Sequence, residues 1–241
     1  MAPIRTYTDW NKRPSDLEDQ IEPYRKYFFI CEGSNTEVWY FRKLIDLRKT
    51  LGIHPLIDIR LMEKTGKDET VSNPKALIEF AEIQKKVASN KFDMKHDRMV
   101  VVFDADIYKN KPEQYKEILE LGNPNNILVV TYPSFELYLL LHYDGTCKEI
   151  ILPNAELILE NKKIGKKRYV GKLFSDKSGM NSKENPAVGE LAINIDIAIE
   201  QEKMLNQDIN NAIGHLTSNV GKVIQFIRND TVVTNEIKKE Q

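Results

Sequence analysis

Acidic side chains stand where apolar runs stop. Residues 27–41 read YFFICEGSNTEVWYF, so Glu32 follows the unbroken apolar stretch Tyr27 to Cys31. Residues 98–106 read RMVVVFDAD, and Asp104 and Asp106 close a second such run. A third run, NILVVTYP, gives way to SFELYLLLHY, with Glu136 at the head of an apolar helix. Strand side chains alternate, so if strand geometry persists the spacing of Asp104 and Asp106 puts both carboxylates on one side, roughly 6–7 Å apart at Cα. Carboxylates that close repel unless one binds a proton or a cation sits between them. A hard divalent ion with oxygen ligands resolves the conflict, Mg²⁺ by preference and Mn²⁺ as the alternative. The competing reading is plainer: an acid at a strand exit can be a solvated turn residue. Glu136 in a first helical turn also opposes the helix dipole favourably, worth about 0.3–1 kcal/mol. His142 lies six residues on, on a different helical face, and reads as an ordinary partly buried histidine.

The elements that must position these acids alternate. KYFFIC is a continuous apolar run, as expected of a strand buried on both faces. TEVWYFRKLIDLRKT spaces Val38, Phe41, Leu44 and Ile45 as a helix does, with Gly52 just beyond. HPLIDIRLM predicts a second strand, and NPKALIEFAEIQKKVAS a helix capped by Asn73 with Pro74 at its first position. RMVVVF, the helix KPEQYKEILELG, NILVVTYP and a helix capped by Ser134 complete the series. Strands alternating with helices imply right-handed βαβ units and a mainly parallel sheet. The expected organisation is an N-terminal arm over 1–25, an α/β core over 26–143, and a helical and basic-loop extension over 144–241 packed on that core. No strand is expected in the extension; ELAINIDIAIEQEKML and NVGKVIQFIRND read as helices, and the tail NEIKKEQ as frayed.

Composition sets the outer limits. The 241 residues are 41% hydrophobic and 29% charged, with a formal net charge of −1, so no global basic field advertises nucleic acid. Cys31 and Cys147 are far apart and lack metal-type spacing, which fits a reduced, cytoplasmic setting. The polar N-terminus has no apolar h-region, so no secretory signal is expected, and no apolar run approaches the ~20 residues that cross a bilayer. Any polyanion must meet a local patch. ENKKIGKKRYVGK supplies one: Lys162, Lys163, Lys166, Lys167, Arg168 and Lys172, with Tyr169 interleaved. Its cations can neutralise phosphates and its ring can stack on a base, or it is a solvated lysine-rich loop. Lys64 and Lys67 form a weaker candidate patch.

Taken in order, ICEGSNTEVWYF, VVFDAD, YPSFELYLLLHY and HLTSNVGKVIQFI resemble the RloB family of bacterial defence-associated proteins, from about Tyr27 to Ile227. The resemblance implies a Toprim-like fold, with a glutamate after the first strand and DxD after a later one. On that pattern Glu32 is a general acid/base or metal ligand, Asp104 and Asp106 hold Mg²⁺, and Phe135 with Glu136 match the family's helix start. Asn35 and the YPS before FEL depart from the family's usual residues and bear on substrate choice. Gly33 is expected to let the backbone turn tightly, with Ser34 or Asn35 capping the next helix.

The resemblance implies Mg²⁺-dependent phosphodiester hydrolysis of DNA or RNA in antiphage defence, beside an AAA-type ATPase partner, with a homo-oligomer left open. Two alternatives stand: a non-catalytic module that binds the ATPase or nucleic acid, and a nucleotidyl- or glycosyltransferase using the DxD.

Overall fold

The computed structural model describes residues 24–62, 64 and 71–230. The arm up to residue 23, Lys67 and the tail lie outside the described residues.

β1 (Arg25–Cys31), α1 (Thr36–Asp46), β2 (Ile57–Leu61), α2 (Pro74–Gln84), β3 (Arg98–Asp104), α3 (Pro112–Gly122), β4 (Ile127–Tyr132) and α4 (Glu136–Leu140) alternate along the chain. The four strands lie in the order β2-β1-β3-β4, all parallel. Period-two alternation divides their side chains between two cores. Tyr27, Phe29, Val100 and Val102 pack on one face with Tyr40, Phe41 and Leu44 of α1. Phe28, Ile30, Val101 and Phe103 pack on the other with Leu77 and Ile78 of α2 and Leu119 of α3. Each such buried side chain contributes about 1.5–3 kcal/mol, which is why both faces must be covered. β1 pairs outward with β2, while β3 and β4 extend the other way. The strand order therefore reverses between β1 and β3, and the crevice at their carboxyl ends is where α/β sheets bind ligands.

Several local expectations hold. Asn73 caps α2 through its side chain, accepting from the Ala76 N–H at 2.9 Å, with Pro74 behind it. Others are corrected. α1 stops at Asp46, well short of Thr50. Asn35 stands at its N-cap but makes no capping bond, because its amide donates to the Lys183 carbonyl at 3.0 Å. The Ser134 hydroxyl does not cap a backbone N–H either; it donates to Glu136 Oε2 at 2.6 Å. Gly33 is not in the left-handed region. What it provides is room: a Cβ there would fall 2.2 Å from Glu37 Oε2.

The expectation of a strand-free extension fails. β5 (Lys163–Ile164) and β6 (Lys167–Arg168) form a small antiparallel hairpin, following α5 (Ala155–Glu160). Gly165, at φ +61°, supplies the left-handed turn. After α6 (Tyr169–Ser178) and α7 (Ile195–Glu202), β7 (Thr217–Ser218) joins the main sheet antiparallel to β4. Two-residue strands carry no readable period, which is why they escape a pattern search. α8 (Val220–Arg228) closes the described chain. The fold is α/β and Toprim-like, a mainly parallel sheet flanked by helices with a C-terminal helical extension. Phe174, Ile195, Ile199 and Ile224 of that extension join the core on the α1 face. Glu202, fully buried, ties α7 to the head of α8 by accepting from Ser218 Oγ (2.6 Å) and the N–H groups of Gly221 (3.0 Å) and Lys222 (2.8 Å).

The expected helix over ELAINIDIAIEQEKML is also divided. Residues Pro186–Asn194 are a 3₁₀ helix and the α-helix begins only at Ile195. Gly189 lies against the main chain of α1, where a Cβ would come within 2.6 Å of the Trp39 carbonyl oxygen. The narrower 3₁₀ coil suits that close approach. Backbone on both sides leaves nothing flexible to give way. Gly189→Ala is expected to cost about 1–3 kcal/mol of stability, read as a lower urea midpoint with an unchanged slope.

Candidate active site

Glu32 leaves the sheet with its N–H still bonded to the Val102 carbonyl at 2.9 Å, so β1 is held against β3 to its last residue. The side chain turns toward β3, where Oε2 accepts the Asp104 N–H at 3.2 Å. Asp104 ends β3, opposite Thr131 of β4, whose hydroxyl donates to its Oδ1. The Ala105 N–H bonds the Thr131 carbonyl at 2.9 Å, and there strand geometry ends: Asp106 opens a 3₁₀ turn, Asp106–Tyr108. The strand alternation assumed for the DxD pair therefore does not persist through Ala105. Asp104 is held inward by Thr131, whereas Asp106 stands at the rim with Arg168 Nη2 4.0 Å from its Oδ2.

Glu136 is buried, and both oxygens are engaged, Oε2 by Ser134 and Oε1 by Ser182 Oγ at 2.9 Å. The loop carrying Ser182 also accepts from Thr36 Oγ1 at 2.9 Å, so it joins the heads of α1 and α4. Between them sits Glu37, in the first turn of α1 with its carboxylate over Gly33. Reasoning from sequence missed Glu37, although it closes the quoted EGSNTE; an acid in a first helical turn reads as dipole compensation. Thr131, Ser182 and Lys64 were not assigned to this site either. The Lys64 ammonium donates to the carbonyls of Glu32 and Val71, the latter at 2.6 Å.

The electrostatics follow from crowding. Burial pushes the Glu32 carboxyl up to about 7, and the charges of Glu37 and Asp106 push the same way. Burial, with Glu136 beside it, raises Glu37 to about 6. Asp104 lies well above the usual carboxylate range, through burial and then the fields of Glu37 and Glu136. All the donors are oxygens, the set a hard divalent cation takes, and their repulsion is what such an ion relieves. The shell is nonetheless open: among the described residues no three His, Cys, Asp or Glu side chains stand close enough to hold a metal ion.

The basic segment lies partly beside these acids. Arg168 of β6 reaches Asp106, and Gly171 of α6 faces Glu136, 3.9 Å from Oε1 to a Cβ built there. Lys163 and Lys166 are exposed on the hairpin, and Lys162 pairs with Glu160 at 2.9 Å. Lys167 donates to Ser175 Oγ at 2.6 Å and Lys172 pairs with Asp176. Tyr169 bonds Asn154 Oδ1 at 2.9 Å and packs on the core, which leaves its ring poorly placed for stacking. His142 is fully buried, bonded to the Tyr40 hydroxyl at 3.0 Å, and burial lowers its pKa to about 4. It is part of the packing, apart from the acids.

A parallel sheet with acids gathered at the reversal point of its strand order defines a Toprim-like α/β protein. The chain belongs to the RloB-like protein family, whose model matches residues 27–227. No curated protein and no solved structure matches it. No described helix is long and apolar enough to cross a membrane.

The raised acids fix a pH dependence. A carboxyl whose folded pKa exceeds its unfolded one binds protons more tightly when folded, so stability falls as pH rises between the two values. For Glu32 that window runs from about 4.5 to about 7. In chelator, Glu32→Gln is expected to exceed the parent protein's stability by on the order of 2 kcal/mol at about pH 8. The difference should close toward pH 4.5 in urea titrations across the range.

Proposed function

We propose that the protein is a metal-dependent nuclease that hydrolyses phosphodiester bonds of DNA or RNA, as an effector in antiphage defence. One observation carries this reading: Glu32, Glu37, Asp104 and Glu136, distant along the chain, gather at the carboxyl ends of β1, β3 and β4, where burial and the neighbouring acids raise the proton affinity of Glu32, Glu37 and Asp104. Glu32 is the proton carrier. With its carboxyl near 7 it both gives and takes a proton at neutral pH, the condition for general acid–base catalysis. Asp104, Asp106 and Glu32 are the residues that would hold Mg²⁺ or Mn²⁺, with Glu37 and Glu136 close by. When bound, such an ion polarises the phosphoryl oxygens and offsets charge on the leaving oxyanion. Arg168 and the exposed Lys163 and Lys166 favour a polyanion along the hairpin.

A second reading has its own support. The open ligand shell suits a non-catalytic Toprim module that binds nucleic acid or an AAA-type ATPase. The ATPase itself rests on the family resemblance alone.

Incubation with labelled single- and double-stranded DNA and with RNA separates the two. Cleavage with Mg²⁺ or Mn²⁺ that EDTA abolishes is expected. Asp104→Asn and Glu32→Gln should each lower it at least about a hundredfold. Glu37→Gln should also lower it while leaving the fold intact by circular dichroism. Binding with no cleavage under any of these metals, and no response to Glu32→Gln, would establish the module instead.

A further inference from the structure

A cavity of about 350 Å³ opens beside the acids, between the head of α1, the loop after β1 and the end of β2. Its lining divides by chemistry. Val38, Trp39 and Met62 are apolar or aromatic, and Arg42 and Lys64 are cations. Gly33 joins it to the candidate active site, since Glu37 lies over this glycine and the Lys64 ammonium bonds the Glu32 carbonyl.

A ligand that suits this cavity must satisfy both halves. A plain anion would answer the cations and leave the apolar wall wet, and a neutral apolar ligand would do the reverse. A flat heterocycle carrying a phosphate answers both: every base has a π-face for an indole, and a guanidinium and an ammonium bind phosphate as fork and point charge. The volume lies at the lower end of small-ligand sites, roughly 300–1,000 Å³, which admits one nucleotide. A base stacked and paired within a duplex cannot enter such a concavity.

Building on the nuclease reading, we propose that this cavity receives one unpaired nucleotide next to the phosphodiester to be cut. The base lies against Trp39, Val38 and Met62, and its phosphate against Arg42 and the one Lys64 N–H not given to the Glu32 and Val71 carbonyls. The substrate is then an unpaired strand, and the cavity discriminates against blunt duplex.

Fluorescence anisotropy in EDTA tests this without cleavage, using labelled six-nucleotide oligothymidylate and oligouridylate and a blunt duplex of the same label. At least one single strand should bind about tenfold or more tightly than duplex. Trp39→Ala should weaken that binding about tenfold, and Trp39→Phe, which keeps a ring, should recover most of it. Val38→Trp fills the cavity from a half-buried helix position and should also block the strand, which guards against a folding defect in Trp39→Ala. Strand binding unchanged by Trp39→Ala and Val38→Trp overturns the proposal, as does duplex binding equal to or tighter than strand binding, or no strand binding at all. The two readings fail separately. Metal-dependent cleavage indifferent to Trp39 removes the cavity's role and leaves the nuclease. Trp39-dependent strand binding without cleavage keeps the cavity and removes the nuclease.

Discussion

Negative charge crowded at one edge of the sheet is the constraint on which the arrangement turns. β1 and β3 are parallel neighbours in fixed register, Cys31 opposite Val102, so the residues that follow them emerge side by side. Glu32 follows Cys31 and Asp104, the last residue of β3, lies two beyond Val102, so the ladder sets the backbone of both. α1 adds Glu37 and α4 adds Glu136 to the same edge. Such a group can shed its repulsion in three ways: by binding protons, by facing fixed cations, or by taking up a mobile one. The first is visible in the raised carboxyls, and the second in Lys64 and Arg168. The third is what the proposed chemistry adds.

The scaffold resists that repulsion from two directions. Within the sheet, two apolar cores clamp the strands, and β7 covers part of the β4 edge. From outside, the extension reaches back over the site. Ser182 holds Glu136 while its carbonyl receives Thr36, so a single loop fixes the heads of two acid-bearing helices. Arg168 brings the hairpin to Asp106. The extension is thus part of the site's construction as well as a cover for the α1 face. The family match, running to residue 227, includes this extension.

What was legible in the sequence followed from continuity. β1, β3 and β4 are unbroken apolar runs because both their faces are buried, and an acid directly after such a run is placed by the strand itself. Glu32 and Asp104 were readable for that reason. The side on which Asp106 stands was not legible, because alternation holds only while the strand does, and Ala105, at φ −96° and ψ 8°, has already left it. Glu37 and Ser182 escaped because their positions depend on tertiary approach. A carboxylate folded over Gly33, and a hydroxyl delivered from 46 residues beyond Glu136, leave no local period. The lysine-rich segment was visible as charge but not as a hairpin, since two-residue strands give alternation nothing to act on.

Proton and cation compete for one pool of charge, and this joins stability to function. With its carboxyl near 7, Glu32 holds a proton part of the time around neutrality, and releasing it adds to the repulsion at the sheet edge. A divalent ion held by Glu32, Asp104 and Asp106 would compete with protons for the same carboxylates. Lys64 sets a limit on how far Glu32 can move. Its bonds to the Glu32 and Val71 carbonyls tie the main chain of the acid to the segment after β2. The side chain of Glu32 is therefore free to exchange partners while its backbone is not. A fixed backbone with an exchangeable carboxylate is what a residue needs if it is to pass a proton at one moment and bear charge at the next.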